Sequence, residues 1–209
     1  MKEETPGLLF FVAGPSGAGK TSLCRALMDR LAEEGEKPLH WSCSYTTRPA
    51  RKGEVDGKDY FFVDDETFDR MIADDEFAEW AEVHDRRYRT SKTYLENAAR
   101  EGMDLLVELD IQGAKQLKAK FESDIFIFIL PPRREVLEER LRCRGSESEE
   151  NIKNRLETAR KEMLEWSWFN YIIINEDFDR AVELMRSVVM ANRCRKNVVE
   201  PAVESILKS

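Results

Sequence analysis

Gly14-Pro-Ser-Gly-Ala-Gly-Lys-Thr21 has the spacing G-x-x-x-x-G-K-[ST]. The backbone N–H groups of such a run can wrap a phosphate, and glycines allow the conformations required. Lys20 would reach the β- and γ-phosphates, and the Thr21 hydroxyl would bind Mg²⁺. The candidate ATP-binding loop is therefore Gly14, Pro15, Ser16, Gly17, Ala18, Gly19, Lys20 and Thr21. It follows an apolar run, Leu8 to Ala13, and precedes a stretch in which Leu23, Leu27 and Leu31 recur at helical spacing. A strand before and a helix after are what the mechanism needs, which sets the run apart from an ordinary Gly-rich turn. The loop implies ATP or GTP binding and leaves the reaction open. Asp110-Ile-Gln-Gly113 has the form of a GTPase D-x-x-G switch, but the chain has no N-K-x-D to read a guanine base.

A kinase needs a second anion site. Arg48 and Arg51 stand three residues apart, with Tyr60 nine further on. Two guanidinium forks and a phenol can hold one phosphate, although the same residues alone also read as a solvated basic loop. Glu79 lies among Asp74, Asp75, Glu76 and Glu82, and alone it reads as one more solvated acid. Ser44 alone is a strand serine, and His40 and His84 lack a supporting pattern and read as structural.

The elements that would position these residues alternate. Leu8 to Ala13, Met103 to Leu109, Ile125 to Leu130 and Tyr171 to Ile174 read as strands buried on both faces. Leu39 to Tyr45 and Tyr60 to Val63 read as further strands, and Glu76 to Thr90 as a hairpin or mixed strands. Helices are expected over Lys20 to Glu34, Thr67 to Ala73, Ser91 to Arg100, Ile111 to Phe121, Pro131 to Leu141 and Phe178 to Arg195. Ser146 with Glu149 forms a capping box for one more, to about Trp166. Val198 to Lys208 is a helix-like tail. Strands alternating with helices imply an α/β fold, with a mostly parallel central sheet and an insertion over about 39–95.

At 209 residues the chain fits one domain. Its 33 Lys and Arg against 41 Asp and Glu leave a net charge of −8, unsuited to general nucleic-acid binding. With 42% hydrophobic residues it can build a core. There is no membrane-length apolar run and no secretory leader. Cys24, Cys43, Cys143 and Cys194 lack metal-ligand spacing. A cytoplasmic protein with free thiols is the expectation, with monomer and homodimer both open.

The run Ser44-Tyr-Thr-Thr-Arg48-Pro-Ala-Arg51-Lys-Gly-Glu54-Val-Asp-Gly57-Lys-Asp-Tyr60-Phe-Phe closely resembles the monophosphate-binding segment of guanylate kinases. The similarity continues through Glu76-Phe-Ala-Glu79, Tyr88-Arg-Thr90-Ser, Leu109-Asp110-Ile-Gln-Gly113 and Arg140 to Glu150, then reaches Arg155 and Asn175. It covers about residues 8 to 195.

The resemblance implies a P-loop three-layer fold: a core over about 7–38, 96–140 and 156–209, a GMP-binding insertion over 39–95, and a helical lid over 141–155. It implies ATP and GMP as substrates, with Mg²⁺ as cofactor. Arg48, Arg51, Tyr60 and Tyr88 would hold the GMP phosphate. Ser44 and Glu79 would read the guanine, with Thr90 near the base edge and Asp110 beside the substrate. Lys20 and the lid residues Arg140, Arg144 and Arg155 would stabilise the transferring phosphoryl group, and Asn175 would lie near the adenine. Two departures stand out: Arg89 where the family usually has glycine, and Glu108 where it usually has aspartate. Two other functions are weighed against this one. A kinase for a sugar bisphosphate is disfavoured by Ser44 and Glu79, and a non-catalytic guanylate-kinase-like binding module by the intact phosphate loop.

Overall fold

The computed structural model describes residues 6–50, 53–74, 77–83, 86–121, 124–142 and 149–208. Five strands form the central sheet: β1 (Leu9–Ala13), β2 (Leu39–Trp41), β7 (Asp104–Glu108), β8 (Ile125–Leu130) and β9 (Tyr171–Ile174). Their order is β2-β7-β1-β8-β9, and every pairing is parallel. Parallel neighbours need crossovers, which the intervening helices supply.

Side chains alternate along a strand, so β1 serves two cores. Phe10 and Val12 pack with Leu23, Leu27 and Leu31 of α1 (Lys20–Glu33) and with Val182, Met185 and Val189 of α7 (Phe178–Arg193). Leu9, Phe11 and Ala13 pack on the other face with α3 (Lys92–Arg100) and α4 (Ile111–Lys120). Both faces are covered, so the strands read as unbroken apolar runs. This is the three-layer α/β arrangement expected from the sequence.

A second sheet, of order β4-β3-β6-β5, contains β3 (Ser44–Thr46), β4 (Tyr60–Phe62), β5 (Phe77–Val83) and β6 (Arg86–Ser91). β5 and β6 form an antiparallel hairpin, and α2 (Asp65–Ala73) is capped by Asp64, whose carboxylate accepts from the Thr67 N–H. Two expectations need correction. The strand expected over Leu39 to Tyr45 is two strands in different sheets: β2 pairs with β7, and the chain then crosses at Ser42 and Cys43 to start the second sheet at Ser44. The helix expected up to Trp166 ends at Met163 as α6 (Glu149–Met163) and tightens into a 3₁₀ turn, Leu164–Trp168. α5 (Arg134–Arg142) precedes it, and α8 (Lys196–Leu207) follows α7. No helix among the described residues is long and apolar enough to cross a membrane.

Candidate active site

The C-terminal ends of β1 and β7 open into a cleft of about 230 Å³. Open parallel sheets bind ligands at that end. Gly14, Ser16, Gly17, Gly19, Lys20 and Thr21 line one side, and Ser44, Tyr60, Glu79 and Tyr88 of the second sheet line the other. Asp110 and Arg155 complete the wall.

Gly19 caps α1 with φ 95°, and a Cβ there would stand 2.5 Å from Asn175 Nδ2. Glycine is therefore required twice over, by backbone conformation and by space. Lys20 is turned onto its own loop, donating to the carbonyl oxygens of Gly14 (2.8 Å) and Pro15 (3.3 Å). Thr21 Oγ1 donates to Glu108 (2.8 Å to Oε2). Arg155 of α6 donates to Ser16 Oγ at 2.6 Å. Behind the loop, Asn175 Nδ2 and Arg140 Nη1 both donate to the Ala18 carbonyl, at 2.8 and 3.3 Å. Arg140 thus lies with Asn175 on the far side of the loop, away from the cleft lining.

Across the cleft, Glu79 is 5% exposed. A β-bulge between Phe77 and Glu79 shifts the register, so Phe77 turns to Tyr45 and Phe68 while Glu79 turns to Thr90. Thr90 Oγ1 donates to Glu79 Oε1 at 2.8 Å and lies 3.5 Å from Ser44 Oγ. Burial pushes the Glu79 carboxyl up to about 8; the Asp110 charge adds to this, while the Thr90 hydroxyl and Arg89 oppose it. Asp110 caps α4, accepting from the Gly113 N–H at 2.8 Å, and burial raises its carboxyl as well.

Arg48 forms a two-pronged pair with Glu54, both contacts 2.9 Å, and lies over the Tyr60 ring at 5.3 Å. Burial, then the charges of Glu108 and Tyr88, push the Tyr60 phenol upward. Arg51 and Arg144 lie outside the described residues, as does Ser146 of the expected capping box.

Sequence reasoning missed three residues. Glu108 was seen only as a departure, yet it engages Thr21. Glu162 faces the cleft, and burial raises its carboxyl against the pull of Lys20, the Ser16 N–H and Arg155. It stands two helical turns from Arg155, so reading one face of α6 would have found it. Glu54, the partner of Arg48, belongs to the run that carries the resemblance but was given no role there, because no periodicity marks a pairing within a loop.

The guanylate kinase family model matches residues 8–192. This chain belongs to the guanylate kinase family. Two curated guanylate kinases illustrate the similarity. That of Syntrophotalea carbinolica is 50% identical over 90% of this chain and 88% of its own length. That of Geobacter sulfurreducens is 49% identical over 99% and 98%. The crystal structure of guanylate kinase from Anaplasma phagocytophilum superposes with a TM-score of 0.74 at 29% identity, covering 93% of this chain and 90% of that one. A guanylate kinase cleft must hold two nucleotides end to end, and here the phosphate loop and Glu79 face each other across one cleft.

Proposed function

We propose that this guanylate kinase transfers the γ-phosphoryl group of ATP to GMP. The observation that carries this reading is a buried carboxylate, Glu79, held by Thr90 in the same cleft as Lys20. Guanine presents adjacent N1–H and N2–H donors, and a carboxylate accepts both in parallel. Adenine lacks that pair and would leave a buried acceptor unpaired, which is how polar sites discriminate strongly.

Each cleft residue then takes a role. Gly14 to Thr21 cradle the triphosphate with their N–H groups, and Lys20 leaves the Gly14 and Pro15 carbonyls for the phosphate oxygens. Arg48, Tyr60 and Tyr88 hold the GMP phosphate, with Arg51 expected beside them. The pairing of Arg48 with Glu54 presets the fork for a phosphate. Arg155 reaches the transferring group from α6, with Arg144 expected from the preceding segment. Asn175 and Arg140 brace the loop at Ala18 near the adenine.

The residues suit Mg²⁺. The Thr21 hydroxyl and Glu108 carboxylate set hard oxygen donors at the phosphate loop. Magnesium, bound with ATP, would neutralise charge on the β- and γ-oxygens. The chain's own residues position two anions and offset their repulsion. No general base is required, because a phosphate monoester with a second pKa of about 6 is already largely dianionic at neutral pH. Cys24, Cys43 and Cys194 are free thiols, which suits a reducing, cytoplasmic site of action.

The test is diphosphate formation with ATP and Mg²⁺ against GMP, dGMP, AMP, UMP, CMP and ribose 1,5-bisphosphate. Fast turnover of GMP with weak turnover of AMP is expected. Turnover of the sugar bisphosphate alone would overturn the role of Glu79, and no turnover at all would overturn the enzyme.

A further inference from the structure

The chain folds into a tight turn just before β4. Val55 donates its N–H to Asp59 Oδ2 at 2.8 Å, and its carbonyl accepts from the N–H groups of Asp59 (3.0 Å) and Lys58 (3.2 Å). Gly57 donates to the Tyr60 carbonyl at 2.9 Å, and the Asp56 carboxylate accepts the Phe62 N–H at 2.9 Å. Bonds this closely spaced make the turn one rigid piece. Glu54 at its start holds Arg48, and Tyr60 at its end lines the cleft. Whatever fixes this turn therefore fixes the proposed seat of the GMP phosphate.

One side chain reaches the turn from the central domain. Asp59 is 9% exposed, and a carboxylate so covered needs donors on both oxygens. Val55 supplies one; Oδ1 accepts from Arg25 of α1. Arg25 stands roughly 8 Å along the axis from Lys20, in the helix that the phosphate loop opens. On the opposite side the second sheet is tied to α4 by Lys120, which donates to the Ala78 carbonyl at 2.6 Å. Arg25 and Asp59 supply a tie on the α1 side.

We propose that Arg25 is a positioning residue for phosphoryl transfer: through Asp59 it sets the span between the acceptor phosphate, held at Arg48 and Tyr60, and the donor phosphates, held at Lys20 and Thr21. The inference rests on the placement of GMP proposed above. In-line transfer tolerates little misplacement, and a shift of about 1 Å can cost about 100-fold in rate. The Arg25 side chain is 58% exposed, so water can take its place on Asp59, and an ion pair with an exposed partner adds little to stability. Its removal is felt in the geometry of transfer and hardly in the fold.

The experiment is steady-state kinetics with ATP and GMP, paired with thermal unfolding, in wild type, R25Q, R25K and R25E. R25Q should lower kcat about ten-fold, leave the KM for ATP within about two-fold and leave the melting temperature within about 2 °C. R25K keeps a cation within reach of Asp59 and should recover most of the rate. R25E sets like charge against Asp59 and should fall below R25Q. R25Q added to D59N should cost nothing further, because the pair acts as a unit. If D59N does not fold, the comparison of R25K with R25E decides in its place. A loss that R25K shares, or one that comes with a lower melting temperature and a higher KM for ATP, marks a scaffold residue and overturns the proposal. An R25E no worse than R25Q overturns it as well. A wild type without turnover of GMP sinks the substrate reading and this inference together. A wild type that turns over GMP, with R25Q equal to it in kcat, sinks the inference alone.

Discussion

A single side chain carries most of the selectivity argument. Glu79 is buried, and its carboxyl titrates near pH 8 against an ordinary value of 4.5. Between those values the folded chain holds a proton that the unfolded chain has released, so stability falls as pH rises through the window. Glu79→Gln imitates the protonated form at every pH. It should melt with wild type near pH 5 and above it by about 10 °C at pH 9, as thermal unfolding at the two pH values would reveal. The same variant loses an acceptor for guanine, so kcat/KM for GMP should drop about 100- to 1000-fold while the KM for ATP holds. Equal losses for both nucleotides would place Glu79 in the scaffold and remove it from base reading.

That residue is aimed by elements, and the elements differ in how far the sequence announces them. Runs such as Leu8 to Ala13 and Ile125 to Leu130 are strands because both of their faces are buried, which the composition of each run states locally. The phosphate loop was equally legible, since its chemistry depends on consecutive residues. Leu39 to Tyr45 was not, because which sheet a strand joins depends on partners such as β7 and β6 far along the chain. The bulge that turns Glu79 toward Thr90 and the crossing of Arg89 beneath α2 are likewise products of pairing, with no local signature.

The first turn of α4 is a similar case, because Gly113 looks like a helix weakness until its neighbour is seen. A Cβ at Gly113 would stand 2.6 Å from Glu79 Oε2. Gly113→Ala therefore sets a helix-propensity gain of about 1 kcal/mol against displacement of the carboxylate. The melting temperature should change little, while the KM for GMP rises about ten-fold. Steady-state kinetics with both substrates checks this, and an unchanged KM would show that Glu79 yields without cost.

Across the whole molecule the two ends of the central sheet divide the labour. β7 runs from Asp104 at one end to Glu108 at the cleft. Asp104 is fully buried, pairing with Lys37 (2.7 Å) and Arg193 (2.9 Å) and accepting the Leu8 N–H at 3.0 Å. One carboxylate thereby ties the approach to β2, the end of α7 and the start of β1 to the strand in the middle. Asp104→Asn keeps the shape but leaves two cations without their buried counter-charge. Breaking such a group costs about 3 kcal/mol, which in a chain of this size is a melting temperature lower by about 6–12 °C. Because this clamp sits at the far end of β7 from the cleft, kcat and both KM values at 25 °C should stay within about two-fold of wild type. Calorimetry paired with kinetics separates the two effects. A fall in kcat at temperatures where the variant is fully folded would mean that the far end of the sheet reaches the phosphate loop through β7, and that stability and catalysis are not divided between its ends.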